Sequence, residues 1–178
     1  GVADTATVTV ASVTGFVTTI DDAGQNGAIE KLTLNMVGDH DQAITIGAGD
    51  FAGSVLGQGS MTITGGGAGR TMTITNALSS DTIDLSGVAS DTVFTVAGSV
   101  DHDVTGGTGD DDVTFTASLN GDDTVDLGDG NDRVIIAPTA NMTSSPTITN
   151  VEELEIGAAG TVSLNVGSVA VPEIILTA

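Results

Sequence analysis

Gly106-Gly107-Thr108-Gly109-Asp110-Asp111-Asp112-Val113-Thr114 and Leu127-Gly128-Asp129-Gly130-Asn131-Asp132-Arg133-Val134-Ile135 are two readings of one nine-residue pattern. Written G-G-x-G-x-D-x-U-x, with U a large apolar residue, the pattern is met by the first stretch at every fixed position and by the second at all but the first. Between them, Asn120-Gly121-Asp122-Asp123-Thr124-Val125-Asp126 keeps the fourth, sixth and eighth positions. The glycines open backbone angles closed to other residues and let carbonyl oxygens turn inward. The sixth residue adds a carboxylate, and the eighth supplies one apolar side chain per repeat to a core.

Outward from these stretches, related punctuation runs through much of the chain. The tetrad x-G-x-G stands at 46–49, 56–59 and 66–69 before it returns at 106–109 and 127–130. Short alternating segments follow most tetrads, as in Met61-Thr62-Ile63-Thr64, Met72-Thr73-Ile74-Thr75 and Val113-Thr114-Phe115-Thr116. Asp followed two residues later by Ile or Val recurs from Asp81 to Asp132. A turn about every ten residues leaves room for short strands and none for ordinary helices. Antiparallel hairpins in a sandwich would satisfy that spacing, but a near-constant period favours a solenoid whose turns stack on equivalent turns. The expected fold is all-β: a parallel β-roll or β-helix solenoid over residues 40–136, with a β flank at 1–39 serving as cap or assembly strands and β-helix rungs at 137–178. Asp21 to Gly27 reads as a loop, Thr139 to Thr149 as the one linker-like break, and Val162 to Val166 as a rung.

Composition agrees with a thin, layered core. Among 178 residues the only aromatic side chains are four Phe, and Gly contributes 25. The net charge is −21, with three Lys and Arg in all, Lys31, Arg70 and Arg133. Nucleic acid is a poor partner for such a chain, because phosphate contacts need Lys and Arg; an anionic membrane surface is disfavoured for the same reason. No apolar run approaches the roughly 18 residues that span a bilayer, so membrane insertion is not expected. Thirteen of the 24 acids lie between Asp81 and Asp132, and all thirteen are Asp, interleaved with Val, Ile and Leu in strand-like order. That interleaving argues against disorder. Chain start without Met suggests a processed protein or a piece of a longer one.

The three central stretches resemble the nonapeptide repeat of the RTX (repeats-in-toxin) β-roll family. The resemblance implies calcium, a hard cation that takes about 6–8 oxygen ligands; one turn cannot supply them and two stacked turns can. It also implies that two nonapeptides make one coil, so that the turn at 106–111 stacks near the turn at 127–132 while 118–123 lies on the opposite edge. On that rule Asp111 and Asp132 share an ion, and Asp123 draws a partner from Gly98 to Asp103. The implied metal residues are Gly107, Gly109, Asp111, Asn120, Asp123, Gly128, Asp129, Gly130 and Asp132, with Asp101 and Asp103. Upstream the pattern decays: Gly66-Gly67-Ala68-Gly69-Arg70-Thr71 has Thr in the sixth position, 56–61 has Met there, and Asp81 and Asp91 lack glycines. Metal at Asp81 and Asp91 is left open.

Other chemistry is thinly staffed. His40 in Asp39-His40-Asp41 and His102 in Asp101-His102-Asp103 could suggest a transition-metal site or a catalytic dyad, but turn residues beside acidic repeats explain them better. The Thr-x-Thr segments at 62–64 and 71–75 could form an ice-binding face, but Thr is a good strand residue anyway. No G-x-S-x-G, phosphate loop or cysteine is present, and no enzymatic activity is expected. Thr147-Ile148-Thr149-Asn150-Val151-Glu152-Glu153-Leu154-Glu155-Ile156 looks like rungs common in RTX-type surface-layer proteins. The expectation is a secreted calcium-binding structural protein at the surface of a Gram-negative bacterium, self-assembling through strand edges, with a cell-surface glycan as a further partner. The alternative is the calcium-binding module of a larger type I-secreted adhesin or polysaccharide-modifying enzyme, such as a mannuronan epimerase.

Overall fold

The computed structural model describes residues 5–11, 17–20, 31–38, 40–46, 60–78, 82–97, 101–116, 119–138, 140, 142, 144–157 and 170–177. The tetrad residues at 47–49 and 56–59, the loop at 21–27, Asp39, Asp81, residues 98–100 and the rung at 162–166 lie outside them. Among the described residues fifteen strands follow in chain order: β1 (Thr5–Ala11), β2 (Val17–Ile20), β3 (Lys31–Val37), β4 (Gln42–Ile46), β5 (Ser60–Gly65), β6 (Thr71–Leu78), β7 (Thr82–Val88) and β8 (Asp91–Val96). They continue with β9 (Asp103–Thr105), β10 (Asp111–Phe115), β11 (Thr124–Asp126), β12 (Arg133–Ile136), β13 (Thr147–Thr149), β14 (Glu153–Gly157) and β15 (Glu173–Thr177). Among the described residues there is no helix.

Odd-numbered strands β1 to β13 form one sheet; the even strands and β15 form the other, in the order β15-β14-β12-β10-β8-β6-β4-β2. Every strand pairing is parallel. Hairpins would pair consecutive strands antiparallel, so the sandwich is excluded and the chain is a parallel β-solenoid. From β8 to β14 each coil advances by about two repeats: Thr92 meets Asp111 after 19 residues, Asp111 meets Asp132 after 21, and Asp132 meets Glu152 after 20; upstream the coils are longer, and Gln42 meets Met72 after 30. The sheets run without a break through both expected flanks, from β1 to β15.

Period-two alternation puts every second side chain inside. In the odd sheet Leu32, Met61, Ile83, Val104, Val125 and Ile148 form one buried column in register. In the even sheet Phe94, Val113, Val134 and Leu154 form another. Each such side chain contributes on the order of 1.5–3 kcal/mol on leaving water. A one-residue slip would turn a whole column outward, so these columns fix the register of the turns between them.

Candidate metal-binding edge

At the edge where the chain enters the even sheet, successive turns stack. The residues one place before the outward position of each strand fall in a single column: Gln42, Met72, Thr92, Asp111, Asp132 and Glu152. The column changes along the solenoid from uncharged to acidic, and Asp111 and Asp132 are each only 1% exposed. Both are the sixth residues of their repeats. Asp110 and Asn131, the fifth residues, stay exposed beside them. Asp110 Oδ1 accepts the Asn131 N–H at 2.9 Å, as Asp91 Oδ1 accepts the Asp110 N–H at 3.1 Å.

The glycines make this stacking geometrically allowed. Gly128 has φ +90° and Gly130 φ +150°, backbone that side chains rarely adopt. A Cβ at Gly128 would lie 2.3 Å from the Gly107 carbonyl oxygen, and one at Gly130 2.4 Å from that of Gly109. Gly107 and Gly109 make the same close approach to Val88 and Ser90 one rung earlier. Asp129, exposed at the tip, donates its N–H to the Gly107 carbonyl at 3.2 Å.

The two buried carboxylates are used differently. Asp111 Oδ1 accepts the Thr92 N–H at 3.0 Å and the Thr92 hydroxyl at 2.6 Å, while Oδ2 accepts the Gly107 N–H at 2.9 Å. Asp132 Oδ1 accepts the Asp111 N–H at 2.8 Å, but its Oδ2 is buried without a hydrogen-bond partner. Burial raises both carboxyls above the usual range. At Asp111 the donors from Thr92 and Gly107 pull the other way. Asp132 is pushed up to about 7, first by burial and then by the charges of Asp111, Glu152 and Asp110, with only the Asp111 N–H opposing them. A buried carboxylate with an orphaned oxygen and like charges around it calls for a proton or a cation. Among the described residues no three acidic or histidine side chains converge as a ready-made metal cluster. An ion held here would therefore draw most of its oxygens from main-chain carbonyls and water.

The chain matches no protein-family model, no curated protein and no solved structure. The edge has to be read from its own geometry.

A cleft of about 430 Å³ opens beside the column on the outer face of the even sheet, lined by Asp91, Asp110, Asp112, Asp132 and Glu153 together with Arg133 and Val93. Asp112, the seventh residue of its repeat, is outside the column. Arg133 Nε and Nη2 donate to its two oxygens at 2.8 and 3.0 Å, and Arg133 also reaches Glu153 and Glu155 at 3.9 and 3.7 Å. Those carboxylates hold the guanidinium more firmly protonated than usual, the Asp112 hydrogen bond first.

The opposite edge carries the shorter repeat. Asp123 is 1% exposed; its Oδ1 accepts the His102 N–H at 2.7 Å and its Oδ2 the Asn120 N–H. The upstream partner of Asp123 is thus the buried His102, through its main chain. Asp101 is exposed and accepts from Asn120 Nδ2 at 3.2 Å, and Asp103 is exposed on β9 opposite Thr124. Asp126, at the end of β11, accepts from Asn150 Nδ2 at 2.6 Å.

Two upstream positions differ from the sequence expectation. Thr71, expected in the sixth position, pairs with Asp91, a neighbour of the column; Met72 takes the column place and is fully buried. Burial of the larger apolar side chain sets the register there, over the glycine count. At Asp91 the column residue is Thr92, and Val93, where the repeat places its apolar residue, is 40% exposed. Glu152 in the column and His102 on the opposite edge are residues that the nine-residue pattern does not mark.

Proposed function

We propose that the chain is a secreted, calcium-binding structural protein of the RTX β-roll kind, whose stacked turns hold calcium and whose copies associate into a surface layer or extracellular filament. The observation that carries this reading is Asp132: a carboxylate 1% exposed, with one oxygen unpartnered, in a column of stacked acids between glycine turns. Asp111, Asp123 and Asp132 would supply carboxylate oxygen and the turn carbonyls the rest. Calcium would supply the positive charge that this net −21 chain lacks. No catalytic step is part of the reading. Self-association is supported by β15, which pairs only with β14 among the described residues and leaves Ile174 42% and Leu176 75% exposed.

Calcium titration of the purified chain, followed by circular dichroism and electron microscopy, tests both halves. Saturable binding with ordered polymers is expected; a chain with no measurable calcium affinity overturns the reading. The acidic cleft favours a second reading, in which the chain is the calcium module of a larger secreted adhesin or polysaccharide-modifying enzyme and its carboxylates contact glycan hydroxyls. Calcium-dependent folding without polymers, together with retention on a neutral glycan, would favour that reading.

A further inference from the structure

We infer that the carboxylate column holds a cation one rung beyond the glycine turns, between Asp132 and Glu152, with Glu152 as the second carboxylate ligand. This rests on the calcium reading and adds to it a site in a stretch that has no nonapeptide.

The register makes Glu152 the next member of the column. Arg133 pairs with Glu153 as Asp112 pairs with Arg133, so Glu152 stands over Asp132 as Asp132 stands over Asp111. The hydrogen bonds repeat as well. Each column carboxylate takes the N–H of the rung before it: Thr92 N–H to Asp111 at 3.0 Å, Asp111 N–H to Asp132 at 2.8 Å, and Asp132 N–H to Glu152 Oε2 at 2.8 Å. The Asp132 carbonyl closes the pair by accepting the Glu152 and Glu153 N–H groups at 3.0 Å.

The turn before Glu152 also carries a positive-φ residue two places before the column, at +51° against +150° for Gly130. That residue is Asn150, the single non-glycine with positive φ among the described residues. Asn enters that region at low cost because its short amide can hydrogen-bond locally, and here its Nδ2 is tied to Asp126 Oδ1 at 2.6 Å.

The orphaned oxygen belongs to Asp132, the lower member of this pair. Both oxygens of Asp111 have protein donors, whereas Asp132 Oδ2, in a side chain 1% exposed, has none. Arg133, the nearest cation in sequence, is engaged with Asp112 on the outer face. Two stacked carboxylates with an open acceptor suit a hard divalent ion, calcium above all, with water completing its oxygen shell.

Calcium stoichiometry of the full chain, by titration calorimetry, tests the inference. Glu152→Gln should lose one ion, or weaken one ion at least tenfold, and Asp132→Asn should do the same. The double variant should lose no more than Asp132→Asn alone, while Glu155→Gln should bind as the unaltered chain does. If Asp132→Asn loses an ion and Glu152→Gln does not, the ion lies between Asp111 and Asp132 and the inference is wrong while the calcium reading stands. If the unaltered chain binds no calcium, the reading itself fails. The unaltered chain also gives a test independent of variant folding. The side-chain carboxylate carbon-13 resonances of Glu152 and Asp132 should shift together on calcium addition, and a stationary Glu152 signal beside a moving Asp132 signal overturns the inference.

Discussion

Asp111 and Asp112 are neighbours in sequence with opposite fates, and the difference can be measured. Asp111 is buried and accepts three hydrogen bonds; Asp112 is about 39% exposed and faces Arg133. Asp111→Ala leaves the Thr92 and Gly107 N–H groups buried without an acceptor, at roughly 1–3 kcal/mol each. Asp112→Ala removes a solvent-screened ion pair worth about 1 kcal/mol or less. Urea midpoints in chelator should therefore fall clearly for Asp111→Ala and little for Asp112→Ala, and equal losses would place the column one residue away. Asp132 adds a pH dependence. Its folded-state pKa, pushed up to about 7, lies above the ordinary 3.8 of an unfolded Asp, so the calcium-free fold binds more protons than the unfolded chain in between. Its contribution to stability is therefore present at acid pH and lost as pH rises through about 7, with a slope of no more than about 1.4 kcal/mol for each step of one in pH. In chelator the urea midpoint should drop from about pH 5 to about pH 8. A midpoint that rises over that span would contradict the environment described for Asp132.

On the proposed calcium reading, the turns rather than the strands would set where the solenoid depends on the ion. The apolar columns run with little change from β3 to β14, but the buried acids begin at Asp111. Stacked strands are about 4.8 Å apart, well inside a screening length of about 8 Å at physiological salt, so salt alone leaves the Asp110, Asp111 and Asp132 turns repelling one another. Chelation should open β9 to β12 while β3 to β8, whose column carries Met72 and Thr92, keeps more protection. Amide hydrogen exchange with and without calcium checks this; uniform protection in excess chelator would show that the acidic turns need no ion. The same contrast explains what the sequence revealed. Glycine spacing and alternation are local properties, so the solenoid was legible from residue order, whereas the pairing of the 106–111 turn with the 127–132 turn came from the resemblance to the nonapeptide family. Glu152 was not legible, because its place comes from register across a full coil; the stretch from Gly98 to Asp103 was expected to partner Asp123, but nothing local singled out His102 within it. Nothing local separates Asn150-Val151-Glu152 from an ordinary polar turn until it stacks on Gly130-Asn131-Asp132. The place of Thr71 was not legible either, because a glycine count carries no information about the burial of Met72.

For the whole molecule, a parallel solenoid poses a question about its ends. Among the described residues the interior strands have neighbours on both sides, but β15 has β14 alone, as β13 has β11 alone in the other sheet. The β15 side chains in register with buried Leu154 and Ile156 are Ile174 and Leu176, 42% and 75% exposed. They extend the inward positions of the even sheet at Leu154 and Ile156 into solvent, and Glu173 is the one charge in the strand. Natural edge strands are commonly protected by Lys, Pro or a bulge; here Pro172 precedes the strand and none of these falls within it. A second copy arriving in the same orientation would continue both the parallel ladder and the core, and a head-to-tail contact of that kind propagates. Main-chain hydrogen bonds would supply affinity and the alternating side chains the register. Calcium would gate the process by folding the acidic turns first, without bridging copies itself. The double variant Ile174→Lys, Leu176→Lys should then keep the calcium-induced circular dichroism change and the calcium stoichiometry of the unaltered chain but remain monomeric in light scattering. Deleting residues 1–10, which removes β1 up to its last residue from the other end, should likewise leave a calcium-folded monomer. Polymers of ordinary length from either variant in calcium would place the contact on a lateral face and end the edge-pairing account.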